Sequence, residues 1–548
     1  TAIYGSRGSN GVITITTKKG AKNQKPQLSY AGNVTISANK NTVDVMSGDE
    51  YRKFITNLYA GDPNYENAIN GEDSEAYSKL GTSHTDWQKE IYQTAVSHDH
   101  NITLSGGFAN TPYRVSLGYT DQQGTLKNSD FKRFTASLNV NPTFFENHLT
   151  VNLNAKGMYA KSTYANSGAV GAAVAFDPTQ DPHAYTSKYH QNLFAEAGVS
   201  ADQILNNNGA SLNDSKWPYT YNNLATKNPL DMLESRSDYA NSRSFIGTAE
   251  IDYKIHGFED LRLHATGGAD LSYGKQNTDV SPYSANAIYY GSYGWEDIKK
   301  RNLSFNAYAQ YYKDFAKTQH FDIMGGYEWQ HFWRHETSAG SGFYPMTNND
   351  KNLAGKEHEP SESEYKTENY LVSFFGRLNY TAFDRYMLTA TVRRDGASRF
   401  KNHWSTFPSL ALAWKAKNET FLKDVDVISE AKVRVGWGMT GQQDGIGNYN
   451  YFASYNANVN NTDGRYPIKG VNDSGLLYRP DAYNKNLKWD TNVRYGEMEF
   501  KGNRYEYATQ SSQYKPIEKP LGSDVASDLG MGSQYAEDAY NPVSIIDD

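Results

Sequence analysis

The densest group of metal-capable side chains in this 548-residue chain is His320, His331 and His335, three of its 13 histidines. A closed metal site needs several ligands converging on one point. On an extended strand neighbouring side chains alternate between faces, so the spacing of eleven sets His320 opposite His331, while the spacing of four keeps His331 and His335 together. Two ligands on one face do not make a site, and no metal is expected. Glu357 and Glu359 are the residue type of acid–base hydrolysis, but they stand in a charged run, Glu357 to Glu368, that reads as solvated loop. Asp121-Gln122-Gln123-Gly124, Asp463-Gly464 and Asn472-Asp473-Ser474-Gly475 lack the spaced oxygen ligands of a calcium loop and read as turns. Catalytic residues and cofactors are therefore not assigned, and the chain does not read as an enzyme.

The other chemistry on offer is aromatic. Tyrosine is abundant, at 43 residues with 23 Phe and 9 Trp, on a chain that is only 38% hydrophobic. Trp217, Tyr219, Tyr221, Tyr289, Tyr290, Tyr293 and Trp295 gather in segments that read as loops, where their rings would stack on a sugar, meet a partner, or pack the loops together. Amphipathic rings in excess also suit the two interfaces of a membrane. The net charge of -7 argues against general nucleic-acid binding, and zero cysteines rule out disulfides and thiolate metal sites. No run of about eighteen apolar residues is present, so any membrane crossing would be by strands.

Those side chains must be positioned by strands, because period-two alternation is the dominant pattern. Tyr113, Val115, Leu117 and Tyr119 oppose Arg114, Ser116, Gly118 and Thr120; Leu149, Val151, Leu153 and Ala155 oppose Thr150, Asn152, Asn154 and Lys156. Tyr386, Leu388, Ala390 and Val392 oppose Met387, Thr389, Thr391 and Arg393 in the same way. The second face is too polar for a core. About fourteen such segments run from Gln27–Ala38 to Lys488–Phe500. Short connections at Ala109–Pro112, Pro142–His148, Ile255–Glu259, Asp314–Thr318 and Thr381–Arg385 alternate with long ones at Asn39–Ser97, Asp121–Asp130, Ser162–Ser235, Gln276–Ile298, Ala339–Thr367 and Gly441–Lys488. Segregation of loop length in this way predicts an all-β, transmembrane antiparallel β-barrel with tight turns at one end and elaborate loops at the other.

The first twenty residues carry a different signal. Tyr4-Gly5-Ser6-Arg7-Gly8-Ser9-Asn10-Gly11-Val12 punctuates a turn with three glycines and feeds the β-branched run Val12-Ile13-Thr14-Ile15-Thr16. Taken alone, the glycines supply positive-φ turns before an ordinary strand. Together with the strands behind it, the segment resembles the end of the plug domain in SusC-like TonB-dependent outer-membrane transporters of Bacteroidetes. Tyr4, Gly5, Arg7, Gly8, Asn10 and Gly11 are the matching positions. Thr85-Asp86-Trp87-Gln88, Arg393-Arg394-Asp395-Gly396 and Phe407-Pro408-Ser409 are similar to barrel segments of the same family, and the likeness extends over about residues 1–500.

The resemblance implies the end of a plug in residues 1–20 and a partial barrel with long extracellular loops in 21–500. Residues 501–548 read as a polar, irregular, unassigned tail. Family barrels have about 22 strands, so about fourteen make a partial wall, and most of the plug and the TonB-contacting segment are expected before Thr1. It further implies a multi-pass protein of the outer membrane, surrounded by outer-membrane lipid, that imports oligosaccharide or oligopeptide cargo. A SusD-like surface lipoprotein would cover its mouth, the two longest loops, Asn39–Ser97 and Ser162–Ser235, would contact that lid, and the TonB complex would pull on the plug. The alternatives are a surface adhesin or assembly protein anchored by its barrel, and a secreted glycan-degrading enzyme, which would need a close carboxylate pair at strand ends.

Overall fold

The computed structural model describes Gly5 and residues 18–58, 80–196, 226–342, 361–443, 446–457, 478–480, 487, 489–501 and 506–510, except 110, 282, 285–291, 317 and 454. Fourteen long strands follow one another in chain order. They are β1 (Gln27–Ser37), β2 (Ala95–Phe108), β3 (Thr111–Gln123), β4 (Asp130–Val140), β5 (Leu149–Thr163), β6 (Arg236–Lys254) and β7 (Leu261–Val280), then β8 (Ser292–Ala316), β9 (Gln319–Gly342), β10 (Ser361–Ala382), β11 (Tyr386–Ala397), β12 (Trp404–Trp414), β13 (Glu430–Gln442) and β14 (Asp490–Lys501). Each pairs antiparallel with the next, so the sheet is one uninterrupted meander, the wall of an antiparallel β-barrel.

The sheet continues beyond the expected last strand. Glu506–Gln510, placed by the sequence reading in an irregular tail, forms β15 on the edge of β14. Among the described residues β1 and β15 are the two edge strands of the sheet. The connections are also tighter than expected. The segment Gln276–Ile298 reads as loop in the sequence, yet β7 and β8 remain paired as far as Val280 and Ser292. Ala339–Thr367 shrinks in the same way, with β9 and β10 paired from Gly340 and Ser361 inward.

Turn chemistry explains how the short connections close. Between β10 and β11, Phe383 and Asp384 both adopt φ 54°, and the Arg385 amide donates to the Ala382 carbonyl at 3.1 Å. Two successive left-handed residues at the centre of this hydrogen-bonded turn, in a connection of three residues (383–385), give a twist that matches that of paired strands. Exposed phenylalanines mark this end of the sheet turn by turn: Phe108, Phe145, Phe258, Phe315, Phe383 and Phe421. Such a row has the composition of the aromatic girdles that outer-membrane barrels carry at an interface.

The long connections carry the helices: α1 (Gly48–Asn57), α2 (Trp87–Ile91), α3 (Gly168–Ala175), α4 (Ser187–Glu196) and α5 (Pro229–Glu234). None of the described helices is long and apolar enough to cross a membrane. Ser47 and Glu50 form a reciprocal capping box on α1. Asn228 caps α5, with Pro229 at the first helical position, where its missing N–H costs nothing. Helices α2, α3 and α5 bury Trp87, Ile91, Ala169, Ala173, Leu230 and Leu233 in one apolar cluster above the sheet. A second cluster, Leu371, Ala397 and Phe400, packs on Trp489, whose ring stacks on Phe400 at 4.6 Å.

Two outcomes are expected. Trp87→Ala removes a ring set edge-on to Phe176 at 4.9 Å and an N–H donated to the Asp177 carbonyl at 2.9 Å. It should cost the loop assembly about 3–5 kcal/mol, and limited proteolysis of the long loops should accelerate while the strands stay resistant. At the opposite end, the Trp414 N–H and the Tyr386 hydroxyl, aided by Arg385, hold the Glu419 carboxyl below its ordinary range. A depressed carboxyl stabilises the fold above its unfolded pKa and loses that stabilisation as pH falls through the folded value. Thermal midpoints in detergent between about pH 6 and about pH 3 should therefore fall more steeply for the wild type than for Glu419→Gln.

Candidate functional site

The two faces of the sheet differ in chemistry, and register fixes which residues share each. Leu104, Val115 and Leu138 lie side by side on one face of β2, β3 and β4; Thr103, Ser116 and Ser137 form the adjacent row on the other. The polar face is a lattice of side-chain hydrogen bonds. Thr103 and Ser116 meet at 3.0 Å, and Ser116 donates to Asn101. Thr120 donates to Asp99 at 2.5 Å, Asn139 bonds Asn154, and Arg262 and His264 converge on Asp252. Asp322 accepts from Gln310 and Asn379, and Thr389 bonds Asn379.

The most buried part of that face is a charged knot on β9, β10 and β11. Arg393 donates from Nε to Asp395 at 2.6 Å, and from a terminal nitrogen to Glu328 at 2.6 Å and Ser373 at 2.8 Å. Its guanidinium also lies 5.9 Å from the centre of the Phe375 ring. Arg393 is 2% exposed and Asp395 and Ser373 are fully enclosed. Buried charge is tolerated only when paired and hydrogen-bonded, and here both conditions are met.

Gly5 sits directly on this knot. Its φ is 65°, and a Cβ added to it would fall 2.4 Å from Arg393 Nε and 2.7 Å from an Asp395 carboxylate oxygen. Both the left-handed backbone and the lack of space demand glycine. Gly5, which precedes β1, thus touches the polar face, and a polar face is the lumen side of an outer-membrane-type barrel. Tyr4, Arg7, Gly8, Asn10 and Gly11, the other matching positions, lie outside the described residues. Alternation in the sequence sets Arg393 on the polar face; it gives no sign of Glu328, 65 residues earlier, as a partner.

The long loops form a second constellation that the sequence reading did not contain. Asp231 at the start of α5 is completely buried. It accepts from the Ser187 amide at 2.7 Å and the Ser187 and Ser235 hydroxyls through one oxygen, and from the Ser284 hydroxyl at 2.7 Å through the other. Asn228 donates to the Pro182 and Ala184 carbonyls at 3.0 and 2.6 Å. Arg52 holds the Gly81 and Ser83 carbonyls, and the Ser83 amide reaches the Thr179 carbonyl. The connections after β1 and β5, the two longest in the sequence reading, are thereby knitted to each other and to the connection after β7.

Of the aromatic candidates, Trp217, Tyr219, Tyr221, Tyr289 and Tyr290 lie outside the described residues, as do Glu357 and Glu359. Tyr293 and Trp295 belong to strand β8 rather than to a loop, opposite Asp279 and Asn277 of β7. They share the outer face with Leu303 and Phe305 and so point away from the interior. The three histidines engage carboxylates: His320 meets Asp314 at 2.6 Å and Asp384 at 3.2 Å, His331 meets Glu368 at 3.2 Å, and His335 meets Glu364 at 2.8 Å. Among the described residues no three His, Asp or Glu side chains come together as metal ligands. What this arrangement can do is hold Gly5 against the polar face and present a folded platform at one end.

No protein-family model matches the chain. It is 46% identical over 499 residues to the TonB-dependent receptor SusC of Bacteroides thetaiotaomicron, covering 89% of this chain and 46% of that protein. It is 30% identical over 505 residues to the TonB-dependent receptor P3 of Formosa agariphila, covering 90% and 45%. The chain thus spans about half the length of the curated relatives it matches. Among solved structures, the RagAB peptide importer in its closed-closed state superposes with a TM-score of 0.68 at 21% identity, over 92% of this chain and 56% of that one, a likeness of fold.

The knot is open to a direct test. Arg393→Met strands the enclosed Asp395 carboxylate and should destabilise the barrel by about 3–5 kcal/mol. Adding Asp395→Leu should recover much of that loss, a coupling measurable as a double-mutant cycle of thermal unfolding in detergent.

Proposed function

Because this chain belongs to the SusC-like TonB-dependent receptors, we propose that it works in TonB-dependent active import of an oligosaccharide or oligopeptide across the outer membrane. The observation that carries the reading is Gly5 seated on Arg393 and Asp395. Gly5, from before the wall, lies against its polar face, the side on which a gate would sit. The interior lattice of Asn, Thr, Ser, Asp and Arg side chains suits hydrated, hydrogen-bonding cargo and would repel apolar molecules. An outer face of aliphatic and aromatic residues bounded by exposed phenylalanines supports residence in the outer membrane.

In this reading residues 1–20 are the end of a plug and residues 21–500 a wall of the barrel. The mouth is covered by a SusD-like lipoprotein that docks on the loop platform held by Asp231 and Trp87. Cargo is enclosed between lid and plug, and TonB acting on the plug opens the passage. The work done is gated binding and release, and no bond of the cargo is made or broken. Trp217, Tyr219, Tyr221, Tyr289 and Tyr290 are the positions proposed to meet cargo or lid.

Uptake measurements discriminate the readings. A strain lacking the gene should lose accumulation of a labelled oligosaccharide or oligopeptide by at least about tenfold, regain it with the wild-type gene, and lose it again when Gly5 is replaced by Val. Undiminished uptake in the deletion strain, together with lost surface attachment, would leave the barrel as an anchor for adhesion.

A further inference from the structure

On the outer face, at the long-loop end of β6, β7 and β8, four cations gather. Register sets Arg243, Tyr273 and Lys299 in one row across the three strands. The row on the loop side is Asn241, Lys275 and Asp297, and the row on the turn side is Phe245, Leu271 and Arg301. All four cations are exposed. Each lies against a ring on the same face: Arg243 is 5.9 Å from the centre of Tyr159, Lys275 5.5 Å from Trp295, Lys299 5.8 Å from Tyr273 and Arg301 5.2 Å from Trp333. Rings beneath the cations hold them in place and keep them facing outward.

Among the described residues, charge on the patch is unbalanced. Asp297 is the carboxylate within it, taking the Tyr273 hydroxyl at 2.9 Å and Lys299 at 3.6 Å. Four cations less one carboxylate leave three positive charges over three strands. The neighbouring acids are engaged elsewhere or lie further off: Glu368 faces His331, Glu364 faces His335 and Lys366, and Asp279 sits two rows nearer the loops.

Depth decides what the patch faces. Immediately toward the turns the same face becomes apolar, with Gly247, Ala269 and Leu303, then Ala249, Gly267 and Phe305. From Arg301 to Tyr311, which stacks on Phe258 at the turn end, β8 advances ten residues. That is about 34 Å along the strand, or about 26 Å along the membrane normal at a tilt of about 40°. An outer-membrane barrel carries an apolar band of about 25 Å. The cations therefore stand where hydrocarbon ends and headgroups begin, at the leaflet on the loop side.

We propose that Arg243, Lys275, Lys299 and Arg301 form a binding site for the phosphorylated headgroup of an outer-leaflet lipid. Guanidinium forks grip phosphate oxygens in pairs, and ammonium groups supply point charges. Strand spacing of about 4.8 Å and row spacing of about 6.8 Å let one phosphate touch side chains from two strands. Acyl chains of the same lipid would lie on Leu271, Leu303 and Phe305 below. The site rests on the reading of this face as a membrane wall.

The test uses the full chain in detergent, wild type and the variant combining Arg243→Gln, Lys275→Gln, Lys299→Gln and Arg301→Gln. The probes are bis-phosphorylated lipid A, its dephosphorylated form and inorganic phosphate. Wild type should bind the phosphorylated lipid at least about tenfold more tightly than the dephosphorylated one and show no thermal stabilisation by millimolar phosphate, and the variant should lose that preference. Equal binding of both lipids by wild type, or an unchanged preference in the variant, overturns the site. Stabilisation by free phosphate alone also overturns it, as an anion site without a lipid. Extraction of membranes with urea separates the premises: release of the wild-type chain would contradict the membrane wall itself, whereas retention without lipid preference contradicts only the lipid site.

Discussion

A strand laid against hydrocarbon has no water to satisfy its backbone, so every amide and carbonyl must find a partner on an adjacent strand. The continuous ladder from β1 to β15 is the consequence, and the rest of the molecule is arranged around it. Because pairing is local, each strand is followed by its own neighbour, and the short connections can shrink to three residues such as Phe383, Asp384 and Arg385. Because strands alternate their side chains, a single ladder gives one face to lipid and one to a polar interior. Neither face needs a conventional core. Of the apolar clusters among the described residues, the one around Trp87 belongs to the long connections, and the one around Phe400 joins a connection to strand residues Leu371 and Ala397.

The same constraint explains why charge is buried where it is. A guanidinium on the outer face at the depth of Val392 would stand in hydrocarbon; one residue along, Arg393 turns inward and finds Glu328, Asp395 and Ser373. That knot presents a flat, fully bonded surface against which a glycine backbone can lie, and Gly5 does so. Further toward the loops the outer face meets headgroups, and Arg243, Lys275, Lys299 and Arg301 become tolerable there. Position along the strand, and not residue type alone, decides the role of each arginine.

Alternation made the wall readable from sequence wherever one face meets lipid, which is why Gln27–Ser37 and Asp490–Lys501 emerge within two residues of their expected bounds. It fails beyond the lipid. At Asn277, Thr278 and Asp279 both faces of the strand are polar, the two-residue period vanishes, and the segment reads as loop although its pairing with Tyr293–Trp295 continues. Glu506–Gln510 is hidden for a related reason: its five residues, Glu-Tyr-Ala-Thr-Gln, give neither face a consistent apolar character. The interior site was half legible. The motif around Gly5 and the inward side of Arg393 follow from local pattern; the approach of Glu328 and the burial of Asp231 depend on which strands and loops become neighbours, which no local pattern carries.

The central claim is that one face of this sheet meets lipid and the other lines a polar interior. The chain contains no cysteine, so single cysteines can be placed along β8 without background. Labelling of intact membranes with a charged, water-soluble maleimide at positions 302–307 should show a period of two. Asn302, Ser304 and Asn306 should react once replaced, and Leu303, Phe305 and Ala307 should stay protected. Equal reaction at all six positions, or protection of the polar set instead, would contradict the account.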